Sequence, residues 1–138
     1  MLCFNYADVF ESNEYQHVVL KHCDLKSKWN QQAYADIQLE IDDQSYAATG
    51  TGNGGFDAFT SAVNSILTKL NMQLPELLDY KVHIPRGGQT SALTEASITW
   101  QLDGKMKTTT RGMHANQVFA AIEATLRLLN RLLHDRYE

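Results

Sequence analysis

Gly50-Thr-Gly52-Asn-Gly-Gly55 has the form Gly-x-Gly-x-x-Gly and stands between an alternating stretch and a helically periodic one. The chemistry such a turn offers is anion binding. Backbone N–H groups and the positive end of a helix dipole converge on one point. A dinucleotide pyrophosphate is the largest anion held this way, but its fingerprint needs a parallel βαβ unit with an acidic residue ending the next strand. Here the preceding segment reads as half of an antiparallel hairpin, and Asp79 begins the next strand instead of ending it. Two readings stay open. The turn cradles a small anion such as a carboxylate, or its glycines serve only a tight strand-to-helix turn with positive φ.

Other chemistry-bearing residues lack partners at useful spacing. His17, His22 and Cys23 read as ordinary strand residues. The two histidines differ in parity, so they point to opposite faces, and three groups fall short of a closed zinc site. His83 and His114 stand apart from any Cys or carboxylate at ligand spacing. Asp42 with Asp43, and Asp57 with Glu76, are explained by turns and helix starts, where Asp is favoured. Arg127, Arg131 and Arg136, with His134, suit the negative end of a helix dipole. No Gly-x-Ser-x-Gly elbow and no Cys–His–acid arrangement occurs, so the residues name neither a catalytic nor a metal-binding set.

The elements that must position these residues come as a repeat. Ala35-Asp-Ile-Gln-Leu-Glu-Ile-Asp42 and Ala96-Ser-Ile-Thr-Trp-Gln-Leu-Asp103 both alternate apolar and polar residues, the mark of a strand with one buried face. Each ends at a two-residue turn, Asp42-Asp43 or Asp103-Gly104. A return strand follows, over 45–49 or 105–110, then a glycine-bearing turn, then a helix. Phe56, Phe59, Val63, Ile66, Leu67 and Leu70 share one helical face; Val118, Phe119, Ile122, Leu126, Leu129 and Leu133 share another. Upstream strands are expected at 15–20 and 80–84. The fold class is therefore α+β: two βββα repeats, 15–71 and 79–135, related by a pseudo-two-fold, with helices packed on mainly antiparallel sheets. Residues 72–78 should form a short 3₁₀-like link, and residues 1–14 a leader.

Length and composition narrow the function classes. The 138 residues make one domain, with 43% hydrophobic side chains. That is too short for a catalytic (β/α)8 barrel, which takes about 200 residues or more. A net charge of −4 argues against a nucleic-acid partner. No apolar run is long enough for a bilayer, and no basic, apolar leader marks a signal peptide. A cytoplasmic location follows, with Cys3 and Cys23 as free thiols.

Several motifs, in order, resemble a known family: Thr51-Gly-Asn-Gly-Gly-Phe-Asp-Ala58, Leu77-Leu-Asp-Tyr-Lys-Val82, the strand end Leu102-Asp-Gly104, and Gly112 before a helix ending Ala124-Thr-Leu-Arg-Leu-Leu-Asn130. They resemble the C-terminal regulatory domain of 2-isopropylmalate synthase, shared with citramalate synthase. Residues 7–15 look like the tail of the linker helix that joins this domain to the catalytic barrel. Gly55 stands where the family usually has proline, and Asn116 where it usually has an acid. The resemblance implies a domain without chemistry or cofactor of its own. It would pair as a homodimer, work with a catalytic barrel of the same or a partner chain, and bind an amino-acid end product at the pairing site. That effector is leucine most often, and isoleucine in citramalate synthases. Carried over, Gly52, Asn53 and Gly54 would hold its carboxylate and Asp57 its ammonium. Phe56, Leu77, Tyr80 and Ile84 would line the slot, with Ser91 and Gln117 at the rim. Two other readings remain: a structural dimeriser with a vestigial effector site, motivated by Gly55 and Asn116, and a small independent enzyme.

Overall fold

A computed structural model describes residues 17–84, 93–104 and 106–136. The chain order is β1 (Val18–Lys26), β2 (Ala33–Ile41), β3 (Gln44–Gly52), α1 (Gly55–Lys69), β4 (Glu76–His83), β5 (Thr94–Gln101), β6 (Lys107–His114) and α2 (Gln117–Arg136). The strands form two three-stranded antiparallel sheets, β1-β2-β3 and β4-β5-β6. Each sheet is followed by a helix packed on it, so the expected α+β class with βββα twice is what forms.

The alternation read in the sequence sets which face is covered. Ala33, Ala35, Ile37, Leu39 and Ile41 are all buried, as are Ala96, Ile98 and Trp100. Phe59, Val63, Ile66 and Leu67 of α1 meet the first set, joined by Ile122, Leu129 and Leu133 of α2. Ala120, Ala124 and Leu128 of α2 meet the second. Trp100 keeps its one polar atom satisfied by donating its indole N–H to the Thr110 hydroxyl at 3.0 Å.

The repeats match in detail. Each first strand carries a bulge at the same place, between Leu20 and His22 in β1 and between Leu77 and Asp79 in β4. Gly50 pairs with Ala35, and Gly112 with Ala96. A Cβ on Gly50 would lie 2.5 Å from the Ala58 carbonyl oxygen and the Ala62 nitrogen; on Gly112 it would lie 2.1 Å from the Ala120 oxygen and 2.7 Å from the Ala124 nitrogen. Both glycines let a helix backbone come down directly onto the sheet.

Several expected boundaries move. β1 starts at Val18 and runs to Lys26 instead of spanning 15–20; residues 1–16, including the leader, lie outside the described residues. Residues 72–78 do not make a 3₁₀ link. Asn71, at φ 58°, ends α1 with its N–H on the Thr68 carbonyl at 3.1 Å and the Met72 N–H on Leu67 at 2.9 Å, a Schellman closure. Pro75 then lets β4 begin at Glu76 and take both leucines. Asp42 and Asp43 do form a two-residue turn with positive φ. The second reversal is one residue longer than Asp103-Gly104, because the Leu102 N–H reaches the Met106 carbonyl at 2.8 Å. Gly50 and Gly52 belong to β3, not to a turn, and among the described glycines positive φ occurs only at Gly104. Close approach, not left-handed backbone, is what those glycines supply.

Candidate functional site

The two helix starts differ although the repeats match. At α2, the Asn116 side chain accepts the N–H groups of Val118 at 2.8 Å and Phe119 at 3.2 Å, an ordinary N-cap. At α1 the capping position is Gly54, extended at φ −144° and ψ 176°, and no side chain caps it. The first helical bond there is Ala58 N–H to the Gly54 carbonyl at 3.0 Å. The N–H groups ahead of Ala58 therefore find no carbonyl within the helix. A Cβ on Gly54 would meet nothing within 4 Å, so the space over this helix end is open.

That end opens onto a cleft of about 590 Å³. Phe56, Leu74, Pro75, Leu77, Tyr80, Trp100 and Val118 supply its apolar lining; Asp57, Thr60 and Asn64 supply a polar edge along α1. The Phe56 ring meets the Tyr80 ring edge-on, with centroids 5.4 Å apart and planes at 79°, a favourable aromatic geometry. Burial pushes the Tyr80 phenol above its ordinary pKa, and the Gln117 side chain, hydrogen-bonded to it, acts in the opposite sense. The arrangement combines an apolar slot, a helix start that attracts an anion and a carboxylate at Asp57 that attracts a cation.

Of the residues proposed from the sequence, Gly54, Phe56, Asp57, Leu77 and Tyr80 line this cleft, and Gln117 joins it through Tyr80. Gly52 is the last residue of β3, where a Cβ would lie 2.5 Å from that of Asp57; its position serves the approach of α1. Asn53 is exposed between strand and helix, outside the lining. Ile84 follows the far end of β4, 66% exposed and outside the cleft, four residues past Tyr80, the last β4 residue of the lining. Ser91 lies outside the described residues. Sequence reasoning missed Gly55, Thr60, Asn64, Leu74, Pro75, Trp100 and Val118. Thr60 and Asn64 follow Asp57 at helical spacing, a signal present in the sequence; Leu74 and Pro75 depended on where β4 began.

The other candidate groups settle into structural contacts. His17 Nδ1 lies 2.9 Å from Asp42 Oδ1, and its ring centroid is 6.1 Å from that of His134. Burial, then the neighbouring Asp24 charge, pushes the Cys23 thiol up, away from thiolate reactivity. Arg127 donates to the Arg111 carbonyl, and Arg131 to the Thr108 hydroxyl at 2.6 Å, so both hold α2 to β6. Among the described residues no three His, Cys, Asp or Glu side chains gather as metal ligands, and no helix is long and apolar enough to cross a membrane.

Comparison with known proteins adds a second line. Residues 5–133 match the family described as the LeuA allosteric (dimerisation) domain. The chain is 31% identical over 102 residues to a probable 2-isopropylmalate synthase of Methanopyrus kandleri, covering 74% of this chain and 20% of that protein. It is 29% identical over 128 residues to the 2-isopropylmalate synthase of Aquifex aeolicus, covering 93% and 24%. It is 28% identical over 111 residues to the (R)-citramalate synthase of Synechocystis, covering 76% and 20%. The chain thus spans between a fifth and a quarter of the length of these curated relatives.

Proposed function

The chain belongs to the LeuA allosteric (dimerisation) domain family, and from that premise we propose that it binds leucine in the cleft beside α1 and transmits feedback inhibition to a 2-isopropylmalate synthase barrel. The observation that carries this reading is the meeting of an apolar slot, Phe56, Leu77 and Tyr80, with the uncapped start of α1. The ligand carboxylate sits over the N–H groups at Gly55 and Phe56, its ammonium faces Asp57, and its branched chain enters the slot. In this reading residues 1–14 belong to the linker toward the barrel and 15–138 to the regulatory domain. The domain works in the cytoplasm as a homodimer and performs no acyl transfer and holds no cofactor itself.

Binding regulates only if the effector prefers one arrangement of the paired domains over another, since a ligand with equal affinity for both shifts nothing. The similarity to an (R)-citramalate synthase supports a second effector, isoleucine, in the same cleft. Calorimetric titration of leucine, isoleucine and valine into the 138-residue chain, with light scattering before and after, tests the proposal. Saturable binding of leucine ahead of the other two is expected. Absence of heat with all three would leave a structural dimeriser as the better account.

A further inference from the structure

The connection from α1 to β4 is tied back onto α1 by one side chain. Asn64 Oδ1 accepts the Leu74 N–H at 3.3 Å. Leu74 packs against both hydrophobic clusters, a position it shares with Phe56. Pro75 follows, and β4 then carries Leu77 and Tyr80 along the cleft. Asn64 is itself exposed and belongs to the polar edge, at the end of the cleft opposite Gly54. Those two residues are separated by about 15 Å of helix at about 1.5 Å per residue.

We propose that Asn64 is a positioning residue for effector selectivity: by anchoring the Leu74 backbone it sets how far the Leu77–Tyr80 wall stands from Phe56, and so which branched side chain the slot accepts. This rests on the binding reading above. Asn64 acts through Leu74 and not by touching the ligand, whose charged ends lie at the start of α1. Its influence falls on the apolar end of the ligand. Leucine branches one carbon further out than isoleucine or valine, so a shift of that wall changes their relative fit while leaving the charged ends alone.

The test is calorimetry on the full chain and on Asn64→Ala and Asn64→Asp, each titrated with leucine, isoleucine and valine. In Asn64→Ala the ratio of leucine to isoleucine affinity is expected to change by about fivefold, the scale of one ordinary hydrogen bond. Asn64→Asp, which keeps the acceptor oxygen, is expected to restore the parent ratio. A merely structural role would weaken all three ligands together and leave the ratio fixed, and that result would overturn the proposal. Binding of none of the three by the parent chain would overturn the underlying reading and this inference with it; binding with an unchanged ratio in Asn64→Ala overturns this inference alone.

Discussion

Asn130 of α2 accepts the Val18 N–H through Oδ1 at 2.7 Å and returns its own amide N–H to the Val18 carbonyl at 3.3 Å. The same oxygen also takes the His17 N–H, and the amide nitrogen reaches the Leu126 carbonyl at 3.0 Å. One side chain of the second repeat thus satisfies the first backbone groups of the first repeat's edge strand.

Asn130→Ala should therefore destabilise the chain by about 1–3 kcal/mol, the cost of leaving part-buried backbone groups without partners. Urea unfolding followed by circular dichroism measures it. Amino-acid binding should persist, because Asn130 stands outside the cleft. A loss below a few tenths of a kcal/mol would show that water replaces the side chain.

Two glycines should respond to different degrees. Gly112→Ala places a Cβ 2.1 Å from the Ala120 carbonyl oxygen, so α2 must lift from its sheet, at about 1–3 kcal/mol by analogy with overpacked cores. Gly54→Ala meets nothing within 4 Å and should cost less in thermal unfolding, under about 1 kcal/mol, the difference between glycine and alanine as an N-cap. Equal effects from the two would contradict the close-approach account.

The strands were legible because one buried face writes itself as alternation, and Ile37, Leu39, Ile98 and Trp100 keep that period without a break. The start of β4 was not, because Leu77 and Leu78 are adjacent apolar residues. The bulge between Leu77 and Asp79, a tertiary feature, puts Leu77 and Tyr80 on the same side although they are three residues apart, which plain alternation does not give. In the site, Phe56, Asp57 and Tyr80 were legible through motif and helical phase. Trp100 was not, since its register opposite Leu77 decides that it reaches the cleft. Nor could the glycine run be divided by eye into strand residues that admit α1, Gly50 and Gly52, and a helix cap that leaves it open, Gly54.

Dimerisation should depend on β4. Leu77 and Val82 are each 38% exposed although they lie on the helix-facing side of their sheet. Val82→Asp is expected to shift the chain toward monomer in light scattering, with its circular dichroism retained, because a carboxylate on a surface that must pair carries a desolvation cost. An unchanged dimer would place the interface elsewhere.

The Tyr80 phenol gives a spectroscopic handle. Its raised pKa means that the folded chain holds the proton more tightly than the unfolded one. Its contribution to stability is thus full below the unfolded value of about 10 and falls as pH rises through the folded value. Gln117→Ala should push the phenol higher still, because the hydrogen bond that favours the phenolate is gone. Ultraviolet titration of the parent and the variant, with Tyr80→Phe to identify the transition, reads this directly. A lower value in Gln117→Ala would refute the contact.

The sharpest prediction concerns Gly54. Gly54→Asp should abolish leucine binding while the fold persists. The backbone there is extended, with φ −144°, so an L-residue is accommodated without left-handed strain. The new side chain does at α1 what Asn116 does at α2: it accepts the first N–H groups and caps the helix. Helix stability should hold or rise by a few tenths of a kcal/mol, about the difference between glycine and a good cap. The ligand carboxylate then faces both an occupied donor set and a like charge. Gly54→Asn separates the two effects, since it takes the N–H groups without adding charge. If the N–H groups carry binding, both variants lose leucine and Gly54→Ala keeps it. If only charge matters, Gly54→Asn binds like the parent. Parent affinity in Gly54→Asp itself, by calorimetry on a chain shown folded by circular dichroism, would mean that the start of α1 does not hold the carboxylate.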